Sequence, residues 1–218
     1  QDIPQDLTGV VRLAVVSAVK SDILDSVLSD FHQAHPRVTF EMTSGSSTDV
    51  QHALLHFQAA LGVSLNHKEV PGLDSTPLLH QTYFLYCGKS HPLFGKTDLQ
   101  IEALQNENFV SFASEQLDGV LASLAVYRAQ QSLNGCSIGT SSSLHEVTRM
   151  IRAGLGIGAL PEHVVAEEAA AGHLWKLPPY EGIATVTLHL MWNASLKINK
   201  AEEAFLACLR KNLTRAGY

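Results

Sequence analysis

No apolar run in this 218-residue chain is long enough for a membrane-spanning helix, which removes integral helical membrane proteins from consideration. Cysteine is scarce: Cys87, Cys136 and Cys208 are an odd number scattered along the length. They form no disulfide framework, which points to a reducing compartment, here the cytoplasm. None has the dense basic neighbourhood that a redox-sensing thiolate needs, so all three read as packing residues. Net positive charge is missing too. The formal balance of −6 argues that this chain does not itself grip a nucleic-acid backbone. There is no glycine-rich phosphate loop with lysine, no Gly-x-Ser-x-Gly nucleophile elbow and no HExxH motif. His52 and His56, and likewise His32 and His35, have a spacing that could hold a metal, but eleven histidines produce such pairs by chance. Gly154-Leu155-Gly156-Ile157-Gly158 lacks the spacing of a dinucleotide fingerprint and reads as a helix stop followed by a packed strand. Catalysis finds no foothold, and neither a metal nor a cofactor is expected. Gln1 to Gly9 are polar, with no basic-then-apolar leader, and a start at Gln1 rather than methionine reads as a processed or truncated chain.

Hydrophobic residues reach 45%, enough to build an ample core at this length. The pattern centres on residues 138–161. An apolar entry at Ile138 runs into Ser141, Ser142 and Ser143; then Leu144, Val147, Met150 and Ile151 recur at helical spacing. Gly154 stops that helix, and Gly156 to Leu160 form a small-residue strand ended by Pro161. This is a unit of a parallel α/β sheet. Earlier, Val10 to Val16 read as a strand, and Ile23 to Ala34 as a helix capped by Ser21 or Asp22. Val38 to Met42 form a strand, Val50 to Phe57 a helix and Ala59 to Ser64 a third strand. That βαβαβ order favours a doubly wound sheet. Further on, the pattern predicts a proline-bearing crossover loop over 66–77, a strand at Tyr83 to Gly88 and a short helix at Leu99 to Leu104. A strand at Asn108 to Phe112 and a helix at Val120 to Leu133 follow. Past the central stretch come a helix to Ala171, a strand at Gly172 to Leu177, a second crossover at 178–182, a strand at Ala184 to Trp192 and a terminal helix at Ala201 to Leu213. Two crossovers suggest a chain that leaves one α/β lobe, builds a second and returns.

Four strands run into small hydroxyl residues: Ser17 to Ser21, Ser44 to Thr48, Ser111 to Ser114 and Thr140 to Ser143. Hydroxyls and unpaired backbone N–H groups at a helix start make a partial positive end that suits a carboxylate or phosphate. Four such turns in one two-lobed chain point to a small organic anion bound between the lobes.

The chain resembles the effector-binding domain of a LysR-type transcriptional regulator over nearly its whole length. The likeness rests on Gly9-Val10-Val11-Arg12-Leu13-Ala14-Val15, Phe31-His32-Gln33-Ala34-His35-Pro36-Arg37-Val38, Ser90-His91-Pro92-Leu93 and, most of all, Met150-Ile151-Arg152-Ala153-Gly154-Leu155-Gly156-Ile157-Gly158-Ala159-Leu160-Pro161. It implies an α/β, periplasmic-binding-protein type 2 fold of two Rossmann-like lobes, the first discontinuous: lobe I from 10–77 plus 181–218, lobe II from 78–180, and 1–9 as a linker remnant. It implies a small-molecule effector contacted by Ser17, Ala18 and Val19, by Ser46, Ser47 and Thr48, by Ser64 and Leu65, by Ala113 and Ser114, and by Ser142 and Ser143. It further implies a homodimer, or a tetramer in the full-length protein, paired through Ile23 to Ala34 and Val120 to Leu133. Promoter DNA would be bound by a winged helix-turn-helix absent from this chain. The third strand departs from the family pattern, since Phe57-Gln58-Ala59-Ala60 holds neither the usual glycine nor the aspartate. Leu65 stands where some aromatic-acid responders carry an arginine. The alternative within the same fold is a transporter's periplasmic solute-binding protein, which would need an export signal.

Overall fold

A run dominated by β-branched valine becomes strand β1 (Gly9–Val16). The computed structural model describes residues 7–66, 68–195 and 197–217, so the expected linker remnant lies outside the described residues at positions 1–6, as does residue 67 of the expected crossover loop. Ser21 accepts the Leu24 N–H at 3.3 Å and starts α1 (Asp22–Ala34), which buries Leu24, Val27 and Phe31. β2 (Val38–Gly45) lies parallel to β1 from Gly9 opposite Val38 to Val16 opposite Gly45. After α2 (Ser47–Leu55), β3 (Leu61–Leu65) pairs parallel along the other edge of β1. The expected βαβαβ order is present.

β4 (Leu73–Gly88) corrects one expectation. Residues 73–82 are already strand rather than the end of a loop, and their exposed Asp74, Ser75 and Pro77 give this half a loop's composition. The helix expected at Leu99 to Leu104 is a single 3-10 turn, Ile101–Leu104. β5 (Phe109–Phe112) precedes α3 (Ala122–Gln130), shorter than expected because Leu121 is not helical and Ser132 turns to φ +54°. Then come β6 (Ser137–Ser141), α4 (Leu144–Arg152), β7 (Gly158–Pro161), α5 (Glu162–Ala170), β8 (Leu174–Leu177), β9 (Ala184–Asn193) and α6 (Lys200–Ala216).

The chain divides into two compact units, one of residues 1–79 with 187–218 and the other of residues 80–186. In the first, the strands run β2-β1-β3-β9, with β9 antiparallel to β3. α1 and α6 pack on one face, where Phe31, Phe40 and Phe205 meet edge to face with centroids 5.1 to 6.3 Å apart. α2 covers the opposite face through Val50 and Leu54 against Ala14 and Met191. Gly62 lets it approach, because a Cβ there would lie 2.7 Å from Val50 and 2.8 Å from Leu54.

In the second unit Leu85 of β4 is opposite both Ala159 of β7 and Leu177 of β8, so β4 is central. β5 and β6 form a parallel pair and join β7's approach through reciprocal bonds of Ile157 with Asn108 and Val110 at 2.9 and 2.8 Å. α4 ends at Gly154, in the left-handed region at φ +80°. The strand after it presses close enough that a Cβ on Gly158 would sit 2.6 Å from the Val110 carbonyl. The glycine-rich segment is thus a helix stop and a packed strand, as its spacing suggests.

Candidate ligand site

The hydroxyl turns are local consequences of strand endings, and strand pairing decides which of them become neighbours. In the first unit β1 runs beside β2 as far as Val16 opposite Gly45, and beside β3 at Val15 opposite Val63. Ser17, Ala18 and Val19, then Ser46, Ser47 and Thr48, and then Ser64 and Leu65, therefore lie along one edge of one sheet. In the second unit Phe112 of β5 is opposite Ser141 of β6. The Ala113 N–H donates to the Ser141 carbonyl at 3.0 Å, which sets Ala113 and Ser114 alongside Ser142 and Ser143. The carboxyl ends of parallel strands are the usual ligand edge of α/β sheets, because helices begin there with free N–H groups.

These residues are not equally available. Ser17, Ala18, Val19, Ser46, Ser47, Ser114 and Ser143 are half-buried, while Thr48, Ala113 and Ser142 are exposed. Ser64 and Leu65 are buried. The Ser64 hydroxyl donates to the Leu65 carbonyl at 3.0 Å, and β9 covers the pair, His189 opposite Ser64 and Leu188 opposite Leu65. Ala18 has φ +58°, a conformation an L-residue holds only under constraint.

The helix starts differ as well. α1 is capped by Ser21. α2 carries a full capping box: Asp49 accepts the Ser46 N–H at 2.8 Å and its hydroxyl at 2.6 Å, and Ser46 accepts the Asp49 N–H at 3.2 Å. Those bonds from Ser46 hold the Asp49 carboxyl below its usual range, so the start of α2 already has its own anion. α4 has no side-chain cap; its N-cap residue Ser143 instead donates its N–H to Ser141 Oγ at 3.1 Å.

Two residues at the second-unit turn carry no sequence signal. Glu115 folds back so that its Oε1 accepts the Phe112 N–H at 3.0 Å. Burial pushes its carboxyl up to about 7, against the opposing pull of that N–H and of Arg128. Arg128 lies 3.8 Å over the Phe109 ring and donates to Ser111 Oγ at 3.0 Å and to the Gly135 carbonyl at 3.3 Å. Glu115 was hidden because an acidic residue between Ser114 and Gln116 reads as a solvated loop.

Elsewhere, a hollow of about 350 Å³ in the first unit is lined by Asp74, Thr76, Trp192, Arg210 and Thr214, among others, and includes none of the candidate turn residues. The His52 and His56 rings stack at 4.1 Å, yet no group of three or more His, Cys, Asp or Glu among the described residues could hold a metal. Cys87 is buried and its thiol is pushed up to about 12 by desolvation. Cys136 is exposed, so it is not the packing residue expected; it stands just before the solvent-facing edge strand β6. No helix among the described residues is long and apolar enough to cross a membrane.

The fold so described is the mixed α/β fold of type 2 periplasmic-binding proteins. The solved effector-binding domain of QuiR in complex with shikimate superposes with a TM-score of 0.79 at 16% identity, covering 95% of this chain and 99% of that one. The regulatory domain of CcmR from Synechocystis PCC6803, in complex with 2-PG, gives 0.76 at 20% identity, covering 94% and 97%. The LysR substrate binding domain model matches residues 4–214, and the chain belongs to that family, whose members are transcriptional regulators. Among curated relatives, the HTH-type transcriptional regulator CysL of Bacillus subtilis (strain 168) is 23% identical over 209 residues, 94% of this chain and 68% of CysL. The HTH-type transcriptional activator BauR of Pseudomonas aeruginosa is 25% identical over 218 residues, 94% of this chain and 66% of BauR. Against the HTH-type regulators YwbI and YbhD the chain spans 54% and 62% of the relative's length.

Proposed function

We propose that this chain is the effector-sensing part of a cytoplasmic DNA-binding transcription regulator, without catalytic activity, and that its effector is a small organic anion. Its proposed contacts are Ser17, Ala18, Val19, Ser46, Ser47, Thr48, Ser64 and Leu65 in the first unit and Ala113, Ser114, Ser142 and Ser143 in the second. The observation behind this reading is that the predicted residues gather, unit by unit, at the carboxyl edges of parallel strands. The self-capped α2, which already carries Asp49 at its start, favours a hydroxyl contact at Ser46 to Thr48 and leaves the effector's carboxylate or phosphate to the second-unit turns. Two solved structures of the same fold are complexes with small molecules, QuiR with shikimate and CcmR with 2-PG.

A ligand that touches both units stabilises the arrangement in which both contacts are made, by its differential affinity for that arrangement. In a homodimer paired through α1 and α3, or a tetramer in the full-length protein, this re-angles the subunits and the DNA-binding parts attached to them. The half-buried Ile23 and Leu28 on α1 and the exposed Val126 on α3 suit such pairing. The transport-protein alternative is not favoured, since the curated relatives named above are HTH-type regulators.

Thermal-shift screening with organic acids, amino acids and aromatic carboxylates tests the site. A stabilising compound is expected to lose its effect on the Ser47→Ala/Ser142→Ala variant. Stabilisation that survived both substitutions unchanged would place the ligand elsewhere.

A further inference from the structure

Ser114 and Ser142 carry no charge, and neither do the other candidate contacts, so an anion seated on them is held by hydroxyl and backbone dipoles. The nearest ionisable group in sequence is Glu115, the residue after Ser114. Its carboxylate is turned inward to the Phe112 N–H and forms no ion pair among the described residues. The groups that act on it from neighbouring elements are Arg128 of α3 and Tyr83 of β4. Arg128 spends its hydrogen bonds on Ser111 and the Gly135 carbonyl. The buried Tyr83 hydroxyl accepts from Gln81 Nε2 at 3.0 Å, and its ring packs edge to face against Phe112 at 6.3 Å.

The turn itself is tightly closed. The Leu121 N–H donates to the Ser114 carbonyl at 3.1 Å, and a Cβ on Gly119 would lie 2.1 Å from that same oxygen. The backbone on either side of Glu115 is therefore fixed beside Ser114, and its side chain is tied to the Phe112 N–H.

Resting on the site reading above, we infer that anion binding at the Ser114–Ser142 turns is proton-linked through Glu115: a carboxylate or phosphate ligand binds with uptake of one proton by that side chain, whereas an uncharged ligand does not. Two like charges in a half-buried setting repel strongly, and the carboxyl relieves this by becoming neutral. Its ordinary titration already falls near neutrality, about 7, so the linkage operates over the pH range of a cell. The effector class that follows is an acid whose affinity rises as pH falls.

The test is an NMR titration of the Glu115 side-chain carboxyl, assigned with Glu115→Gln, together with the backbone amides of residues 113, 114, 142 and 143. The probes are inorganic phosphate and benzoate, with benzamide as the uncharged control. The Glu115 midpoint is expected near neutral and to rise by about one pH unit with either anion and not with benzamide. From well below the free midpoint to well above the bound one, affinity for benzoate is expected to fall about tenfold in all in the wild type, and to be flat in Glu115→Gln. A free-protein midpoint in the ordinary carboxylate range overturns the inference without any ligand. Amides that respond to an anion while the midpoint stays fixed overturn it and leave the site reading standing. Amides that respond to neither anion overturn the site reading, and the inference with it.

Discussion

Ala18 occupies the left-handed region at φ +58°, in the turn where β1 gives way to Ser21 and α1. An L-residue pays roughly 1–2 kcal/mol to stay there, and a β-branched one more. Glycine removes that strain but has more freedom to lose on folding, by about 0.5–1 kcal/mol. Ala18→Gly is therefore expected to stabilise the protein by at most about 1 kcal/mol, and Ala18→Val to destabilise it by about 1–2 kcal/mol, both read from urea midpoints. Glu115 makes the second residue-scale prediction. Its folded pKa, about 7, lies above the ordinary glutamate value of 4.5, so the folded state binds the proton more tightly. This stabilising term is fully present below the unfolded pKa and is lost as pH rises to about 7. Glu115→Gln should accordingly be more stable than wild type at pH 8, by on the order of 1–3 kcal/mol, and the advantage should vanish by about pH 4.5. Chemical denaturation at the two pH values checks it. The serine turns could be read in the sequence because an N-cap announces itself within four residues. Glu115 could not, since its character comes from burial, which only the folded chain supplies.

At the scale of elements, β1 and α6 are tied by a pair that no local pattern announces. Arg12 Nε donates to Glu202 Oε1 at 2.8 Å across 190 residues, and Glu202 is fully buried. Its other oxygen accepts the Asn199 N–H at 2.9 Å, while Asn199 Oδ1 accepts the Ala201 and Glu202 N–H groups at 2.9 and 3.0 Å. One carboxylate thus caps α6 and holds the helix to the sheet. Arg12→Ala leaves that charge buried with only the backbone cap, and should cost about 3–5 kcal/mol in urea denaturation. An Arg12→Met/Glu202→Leu double variant should recover part of it, since the desolvated charge is then gone. Periodicity recovered the helices and the order of the strands because hydrophobic spacing is a local signal. It misjudged β4, whose polar half reads as loop, and the helix at 120–133, which tertiary contacts shorten at both ends. The gathering of the serine turns at a sheet edge within each unit needed the parallel registers, Val16 opposite Gly45 in the first and Phe112 opposite Ser141 in the second.

The whole molecule is two units threaded by two long strands. β4 leaves the first unit after Leu79 and β9 returns to it at Thr187, each as continuous strand. Each strand runs unbroken along the chain from one unit into the next, so the two are expected to unfold together. Each holds one of the two tryptophans. Trp192 is buried in the first beneath Arg210, 5.3 Å from its ring. Trp175 is half-buried in the second, its Nε1 donating to the Lys96 carbonyl at 3.0 Å and its ring 5.7 Å from Phe94. Trp175→Phe and Trp192→Phe therefore leave a fluorophore in one unit at a time. Their urea transitions should coincide, and a substitution in only one unit, such as Arg12→Ala, should move both equally. A bound effector should likewise raise both midpoints by the same amount. Separate transitions, with the ligand shifting only one, would mean that each unit folds on its own and that the ligand is held by a single sheet edge.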